Sequence, residues 1–247
     1  MKKILAVFAH PDDEVFGPGG TMAKYGHEGV EIHILCATRG ESGDEKNFKF
    51  QISNNKFEDN KLGKRREKEL LRSAEILGIK SVEFLNFIDG QLCNNLYHKL
   101  ADKISRKIIS FKPQIILTNE RLGISGHLDH IAVSMTTTYA YLKTKTAQKL
   151  YYNCMNVKFR EKVLDNYFIY FPEGYHENQI TTKINYEKYW ECKKRAMKMH
   201  ESQLKDVTAL LSRFSSQPKI DHFILQYYQN LKPELPETDF FSGVSIK

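Results

Sequence analysis

The sequence predicts an α/β fold in which a mostly parallel sheet carries helices on both faces. Short apolar runs read as strands, stretches with apolar residues at helical spacing read as helices, and the two alternate along the first half of the chain. No internal repeat and no Pro- or Ser-rich linker interrupts the alternation. Ligands of such sheets bind beyond the carboxyl ends of the strands, so the loops that follow strands are where chemistry is expected.

Residues 4–8 are an apolar run that stops before His10-Pro11, which reads as a buried strand. Gly19-Gly20 leads into a short helix over 21–25, closed by Gly26. A second strand spans 30–37 and is followed by the loop 38–43. From 44 to 63 the chain is polar and rich in Asn and Lys, which predicts a long surface loop, of the kind that is often a functional lid or a disordered segment. Residues 64–77 carry Leu70, Leu71, Ala74 and Leu77 at helical spacing and stop at Gly78, a good residue just past a helix end. A third strand is expected at 82–87. Tyr97, Leu100, Ala101, Ile104, Ile108 and Phe111 make the next helical stripe, ended by Pro113, and 114–118 make a fourth strand. The second half offers strands at 149–154 and 167–171 and a helix across 186–203, while the last 40 or so residues carry no clear pattern. This order brings three loops together: 10–20, 38–43 and 119–130, after the first, second and fourth strands.

Composition narrows the function classes. A chain of 247 residues buries roughly 70–75% of the surface its unfolded form exposes, so it needs neither disulfides nor a structural metal to fold. Cys36, Cys93, Cys154 and Cys192 are far apart with no C-x-x-C pair, as expected of idle thiols in a reducing cytoplasm. The basic start followed by apolar residues imitates a signal peptide, but the run ends in charge after six residues. No stretch has the roughly 20 apolar residues of an integral membrane segment, and a cytoplasmic location is expected. The 37 Lys+Arg against 30 Asp+Glu give +7 and a pI near 9.0, but they are spread along amphipathic helices rather than gathered with aromatics, so nucleic acid is not an expected partner. Gly17-x-Gly19-Gly20 lacks the third glycine of a dinucleotide loop, since Met22 stands there.

Two strand ends carry metal-type chemistry. His10-Pro11-Asp12-Asp13-Glu14 puts an imidazole and three carboxylates directly after the first strand, so that a loop can present His10 and Asp13 to one cation while Asp12 points elsewhere. Gly126-His127-Leu128-Asp129-His130 adds two imidazoles and a carboxylate after the fourth. Two His and one carboxylate with an open position is the usual catalytic zinc set, and spare carboxylate and imidazole groups would serve as general base and acid. Taken singly, each motif also fits an ordinary helix start; placed at two strand ends of one sheet, they point to a shared metal site.

Ala9 to Glu14 followed by Gly19-Gly20 resembles the first motif of the LmbE-like or GlcNAc-phosphatidylinositol de-N-acetylase (PIG-L) family, and Gly126-His127-x-Asp129-His130 resembles its second. Looser matches are Thr38-x-Gly40-Glu41-x-Gly43, Arg66-x-x-Glu69, and Lys193-x-x-Ala196-x-x-x-His200-x-Ser202-Gln203. The resemblance covers about residues 3–203 and implies a single Rossmann-like catalytic domain over 1–247, with 204–247 as an extension. It implies zinc-dependent removal of an N-acetyl group from an N-acetylglucosamine-type sugar conjugate by metal-activated water. His10, Asp13 and His130 would bind Zn2+, with Fe2+ or Co2+ able to occupy the same set. Asp12 would be the general base, His127 would stabilise the oxyanion or protonate the leaving amine, and Asp129 would orient His127. Arg39, in a strand-end loop, is a candidate for binding substrate, and the basic surplus hints at an anionic conjugate. Leu128 replaces a Pro common in the family and Asn185 replaces an Asp. An amidase removing a larger acyl group, or a non-catalytic basic binding protein that keeps the metal site, are the competing expectations.

Overall fold

A computed structural model of the chain describes residues 1–43, 61–93, 95–161, 164 and 170–246. Its centre is a seven-stranded sheet in the order β3-β2-β1-β4-β5-β7-β6. The strands are β1 (Lys3–Phe8), β2 (Glu31–Cys36), β3 (Ser81–Phe84), β4 (Ile115–Asn119), β5 (Lys149–Cys154), β6 (Thr182–Asn185) and β7 (Ile220–Tyr228). The first five run parallel, and β7 joins β5 and β6 antiparallel. The expected mostly parallel α/β fold is therefore the observed one.

Strand β1 shows why the middle of the sheet reads as unbroken apolar sequence. Ile4, Ala6 and Phe8 face one layer while Leu5 and Val7 face the other, and all are buried. The first layer holds α2 (Gly19–His27), α3 (Lys61–Ile76), α7 (Trp190–Met197) and α8 (Leu204–Ser216). The second holds α4 (Tyr97–Phe111) and α6 (Leu128–Thr144). With helices on both sides, each central strand must be apolar on both faces. Two short turns complete the set, α1 (Asp13–Phe16) and α5 (Gly123–Gly126). The chain leaves β1 toward β2 and leaves β4 toward β5, so a crevice opens between the ends of β1 and β4. Among the described residues no helix is long and apolar enough to cross a membrane.

Several boundaries differ from the sequence reading. The helix expected at 21–25 runs through Gly26 to His27, and α3 starts at Lys61, inside the stretch read as loop; the rest of that loop, 44–60, lies outside the described residues. The third strand stops at Phe84 because Asn86 adopts a positive φ of 60°. The strand expected at 167–171 lies outside the described residues up to 169, and Tyr170 and Phe171 are not in a strand. The helix expected across 186–203 is broken: 3-10 turns at Glu187–Tyr189 and Glu201–Gln203 flank α7, and His200 sits at the break with ψ 60°. The unpatterned C-terminal stretch supplies α8 and β7.

Candidate active site

The crevice is lined first by the loop that leaves β1. Asp13 folds back on it, its Oδ2 accepting the backbone N–H of Ala9 and of His10, both at 3.0 Å. Its Oδ1 is left facing His130 Nε2 at 3.2 Å. Asp12 adopts a φ of 111°, a region in which a residue with a side chain costs roughly 1–3 kcal/mol. Two groups hold it there: Glu14 Oε2 accepts the Asp12 backbone N–H at 2.9 Å, and Arg66 Nη2 donates to Pro11 O at 2.7 Å and to Asp12 Oδ2 at 3.0 Å.

The loop after β4 brings the other half. Gly126 has φ +77°, and a Cβ there would stand 2.0 Å from the Tyr170 carbonyl oxygen, so only glycine fits the entry to His127. His127 caps α6, its Nδ1 accepting the Asp129 backbone N–H at 3.2 Å. That acceptor role places the ring proton on Nε2, which makes Nε2 a donor. His130, one turn later, directs Nδ1 to the Gly123 carbonyl at 2.9 Å and so presents the lone pair of Nε2.

A third strand end contributes as well. The Asp129 carboxylate is fully buried and accepts the N–H groups of Gly90 at 2.7 Å and Leu92 at 3.1 Å, which ties α6 to the loop after β3. From that loop Asp89 places Oδ1 2.8 Å from His10 Nε2, while Asp129 Oδ2 is 3.4 Å from the same nitrogen. These are close charge contacts rather than aligned hydrogen bonds. Two carboxylates beside Nε2 favour a proton on it, and His10 meets His130 Nε2 through Nδ1 at 3.0 Å. The ring centroids of His10, His127 and His130 are 4.7–5.0 Å apart.

These charges shift one another strongly. Burial would lower His10, but the contacts to Asp129 and Asp89 outweigh it and raise its pKa to about 10. Burial pushes Asp12 up to about 7 against the pull of the Arg66 guanidinium. Burial would raise Asp13 too, yet His130, His10 and two backbone N–H groups hold it below the usual carboxylate value. Burial, reinforced by His10 and His130, takes His127 down to about 4.

His10 Nδ1 and His130 Nε2, 3.0 Å apart, share a proton while His10 is charged, and with the Asp13 carboxylate oxygen 3.2 Å from His130 they form a donor set that a cation displacing that proton would satisfy. His10 Nδ1, Asp13 Oδ1 and His130 Nε2 thus fit a divalent metal, with carboxylates behind one histidine and a carbonyl behind the other, as metal-ligating histidines usually have. Ligand atoms of His10, His127 and His130 lie within 4.8 Å of one another, as do those of His10, Asp89 and Asp129. The acceptor role of Nδ1, which makes Nε2 a donor, sets His127 apart from His10 and His130.

His10, Asp12, Asp13, His127, Asp129 and His130 are thus gathered in one crevice. The Arg39 guanidinium is instead paired with Glu67 at 2.5 Å and with Asn86, over the Phe84 ring. Sequence reasoning assigned no site role to Asp89, Arg66 or Glu14. The strand-end rule, applied to the third strand as to the others, would have pointed at Asp89.

A family model described as PIG-L, GlcNAc-PI de-N-acetylase, matches residues 5–141. Mycothiol S-conjugate amidase of Streptomyces coelicolor is 36% identical over 153 residues, which is 56% of this chain and 51% of that protein. The 1D-myo-inositol 2-acetamido-2-deoxy-alpha-D-glucopyranoside deacetylase of Kineococcus radiotolerans is 30% identical, with 44% of it covered, so this chain spans about half the length of both relatives. The enzyme of that same name from Mycobacteroides abscessus is 25% identical with 99% of each chain covered. Among solved structures, GalB, the 4-carboxy-2-hydroxymuconate hydratase of Pseudomonas putida, aligns with a TM-score of 0.69 at 17% identity over 95% of this chain and 100% of its own. N,N'-diacetylchitobiose deacetylase of Pyrococcus horikoshii aligns with a TM-score of 0.63 at 19% identity over 90% and 82%. At such identities the structures share the fold, and a fold that carries both a hydratase and a deacetylase does not choose between reactions.

Proposed function

We propose, from the premise that this chain belongs to the PIG-L (GlcNAc-PI de-N-acetylase) family, that it is a zinc-dependent N-deacetylase acting on an N-acetylglucosamine-type sugar conjugate. The observation that carries this reading is the convergence of His10 Nδ1, Asp13 Oδ1 and His130 Nε2, with Asp12 and His127 beside them. These three atoms would hold the metal, which would polarise the amide carbonyl and make a water acidic enough to be deprotonated near neutral pH. Asp12 removes a proton from the attacking water as its oxygen bonds to the carbonyl carbon. His127 Nε2–H donates to the carbonyl oxygen as that atom gains negative charge; such a donor is commonly worth roughly 3–4 kcal/mol in the transition state. The C–N bond then breaks, and the proton held by Asp12 passes to the departing nitrogen, giving acetate and a free amine. Asp129 fixes His127 through its own N–H and its anchored carboxylate.

The whole chain acts as one catalytic domain in the cytoplasm, and its basic surface favours an anionic conjugate. Arg39 would join in substrate binding only by leaving Glu67. A second reading, an amidase that removes a larger acyl group from an amino-sugar conjugate, is supported by the likeness to the mycothiol S-conjugate amidase.

Zinc-loaded and chelator-stripped protein should be offered N-acetylglucosamine conjugates, thiol–sugar conjugates and short chitooligosaccharides, with acid and free amine both measured. Equal amounts of acetate and amine, lost on stripping and restored by zinc, support the deacetylase. Release of a larger acid supports the amidase. A chain that takes up no zinc overturns both.

A further inference from the structure

We infer that His200 is a positioning residue for Asp12: acting through Glu14, it locks the loop after β1 so that the Asp12 carboxylate is held in its reacting place. This rests on the reading of Asp12 as the general base.

His200 is wholly buried, and its Nε2 lies 2.7 Å from Glu14 Oε1. Its Nδ1 is buried and has no hydrogen-bond partner among the described residues, where the polar contact of the ring is this one bond. Glu14, 1% exposed, spends its carboxylate on three groups. Oε1 receives His200 and the Ser73 hydroxyl at 2.6 Å, and Oε2 accepts the Asp12 backbone N–H at 2.9 Å. That last bond fastens the backbone of a residue at φ 111°, while Arg66 holds its side chain. A carboxylate this deep needs its donors, and without His200 it would reorient toward other partners and release the Asp12 N–H. The break in the helix at His200 is what aims the imidazole at Glu14 rather than along the helix.

The same segment grips the loop at a second point. Lys193 in α7, also fully buried, donates to the Gly17 carbonyl at 2.9 Å and pairs with Asp221 at 3.1 Å. Ser202 bonds Glu69 on α3 through its N–H and its hydroxyl, at 2.9 and 2.6 Å. The C-terminal motif Lys193–His200–Ser202 thus braces the loop between Asp12 and Gly17, and His200 reaches Asp12 through Glu14.

The test compares wild type, His200→Leu, His200→Gln and Val207→Ala, the last a cavity in α8 away from Glu14. Turnover is measured on whichever acetamido sugar the wild type cleaves, along with KM, zinc per chain, melting temperature and hydrogen exchange of the Asp12 amide by NMR. His200→Leu should lower kcat roughly 10–100-fold while KM and zinc content stay within about twofold, because misplacing a catalytic group costs turnover rather than binding. The Asp12 amide should exchange at least roughly tenfold faster. His200→Gln keeps a donor at the Nε2 position and should restore most of both, whereas Val207→Ala should lower the melting temperature and leave kcat alone. Unchanged kcat and an Asp12 amide still protected in His200→Leu would overturn the inference, as would a kcat loss that Val207→Ala matches. If His200→Leu does not fold, Ser73→Ala, which removes the other donor to Glu14 Oε1, is read by the same criteria. If the wild type cleaves no acetamido sugar, the proposed function fails, and the Asp12 amide alone decides the positioning role.

Discussion

Asp89→Asn tests how much of the affinity of the proposed metal site is set by a residue outside its three proposed ligand atoms. The substitution keeps side-chain volume and removes a negative charge 2.8 Å from His10 Nε2. A hydrogen bond to a charged acceptor is worth roughly 1.5–3 kcal/mol against 0.5–1.5 for a neutral one, which bounds this unaligned contact from above. The Asp129 carboxylate, 3.4 Å from the same nitrogen, continues to hold the proton there, so the loss should stay near 1 kcal/mol, or roughly fivefold in Kd for zinc. Asp89→Ala also releases the Ser42 backbone N–H, which Asp89 Oδ2 accepts at 3.0 Å. It should come nearer the roughly 100-fold that marks the upper end for groups supporting a ligating histidine. Competition against a chelator of known affinity measures both variants. Affinities unchanged in both would refute the support role. Complete loss of zinc in Asp89→Asn would refute it in the other direction, since Asp89 would then be a ligand in a set with His10 and Asp129.

Asp12→Ala should retain zinc and lose turnover by roughly 10²–10⁴-fold, the usual contribution of a positioned base, whereas His130→Ala should lose zinc; atomic absorption and acetate release separate the two, and equal zinc loss in both would contradict the assignment. Far from the crevice, Lys149 is fully buried and its ammonium bonds Glu237 and the carbonyls of Phe240 and Ser242. Lys149→Met strands the Glu237 charge, which costs roughly 3–5 kcal/mol and, at roughly 2–4 °C per kcal/mol for a domain of this size, should lower the melting temperature by about 6–20 °C. Adding Glu237→Gln should recover part of that loss in the same thermal melt.

How far the sequence could be read follows from how local each signal is. Strand β1 was legible because its apolar residues are consecutive and the run ends, after Ala9, at His10 and Pro11. The six residues predicted to meet were legible because each half of the set is a compact run, His10 to Asp13 just after β1 and His127 to His130 at the helix start that follows β4. Helix α6 lacks a legible stripe for a physical reason. Thr136, Thr137 and Thr138 are β-branched, and Met135, Tyr139 and Leu142 are apolar yet exposed, so no polar stripe marks the outside. Its threonines instead bond back to their own helix, Thr136 to Ala132 O and Thr138 to Ser134 O, both at 2.8 Å. Strand β7 has interior positions filled by Asp221 and His222, which hid it among the polar residues of the last third. The partnership of His200 with Glu14 joins positions 186 apart, and no local pattern can announce a contact that only the packing of α7 against α1 creates.

The two outermost strands are each four residues long, β3 at one side of the sheet and β6 at the other. The free side of β6 is already taken, for Glu237 N–H donates to Thr181 O at 2.8 Å and Lys183 N–H to Glu237 O at 2.9 Å. On β3 the ion pair Glu83–Lys107, at 2.9 Å, sets charge along the margin. An unprotected sheet margin is a template on which another chain can add a strand, and the hazard grows with its length and flatness. With one margin capped by its own C-terminal segment and the other short and charged, this sheet offers little backbone for edge-to-edge aggregation. Removing the segment around Glu237 would uncover β6 and turn a finished edge into an adhesive one.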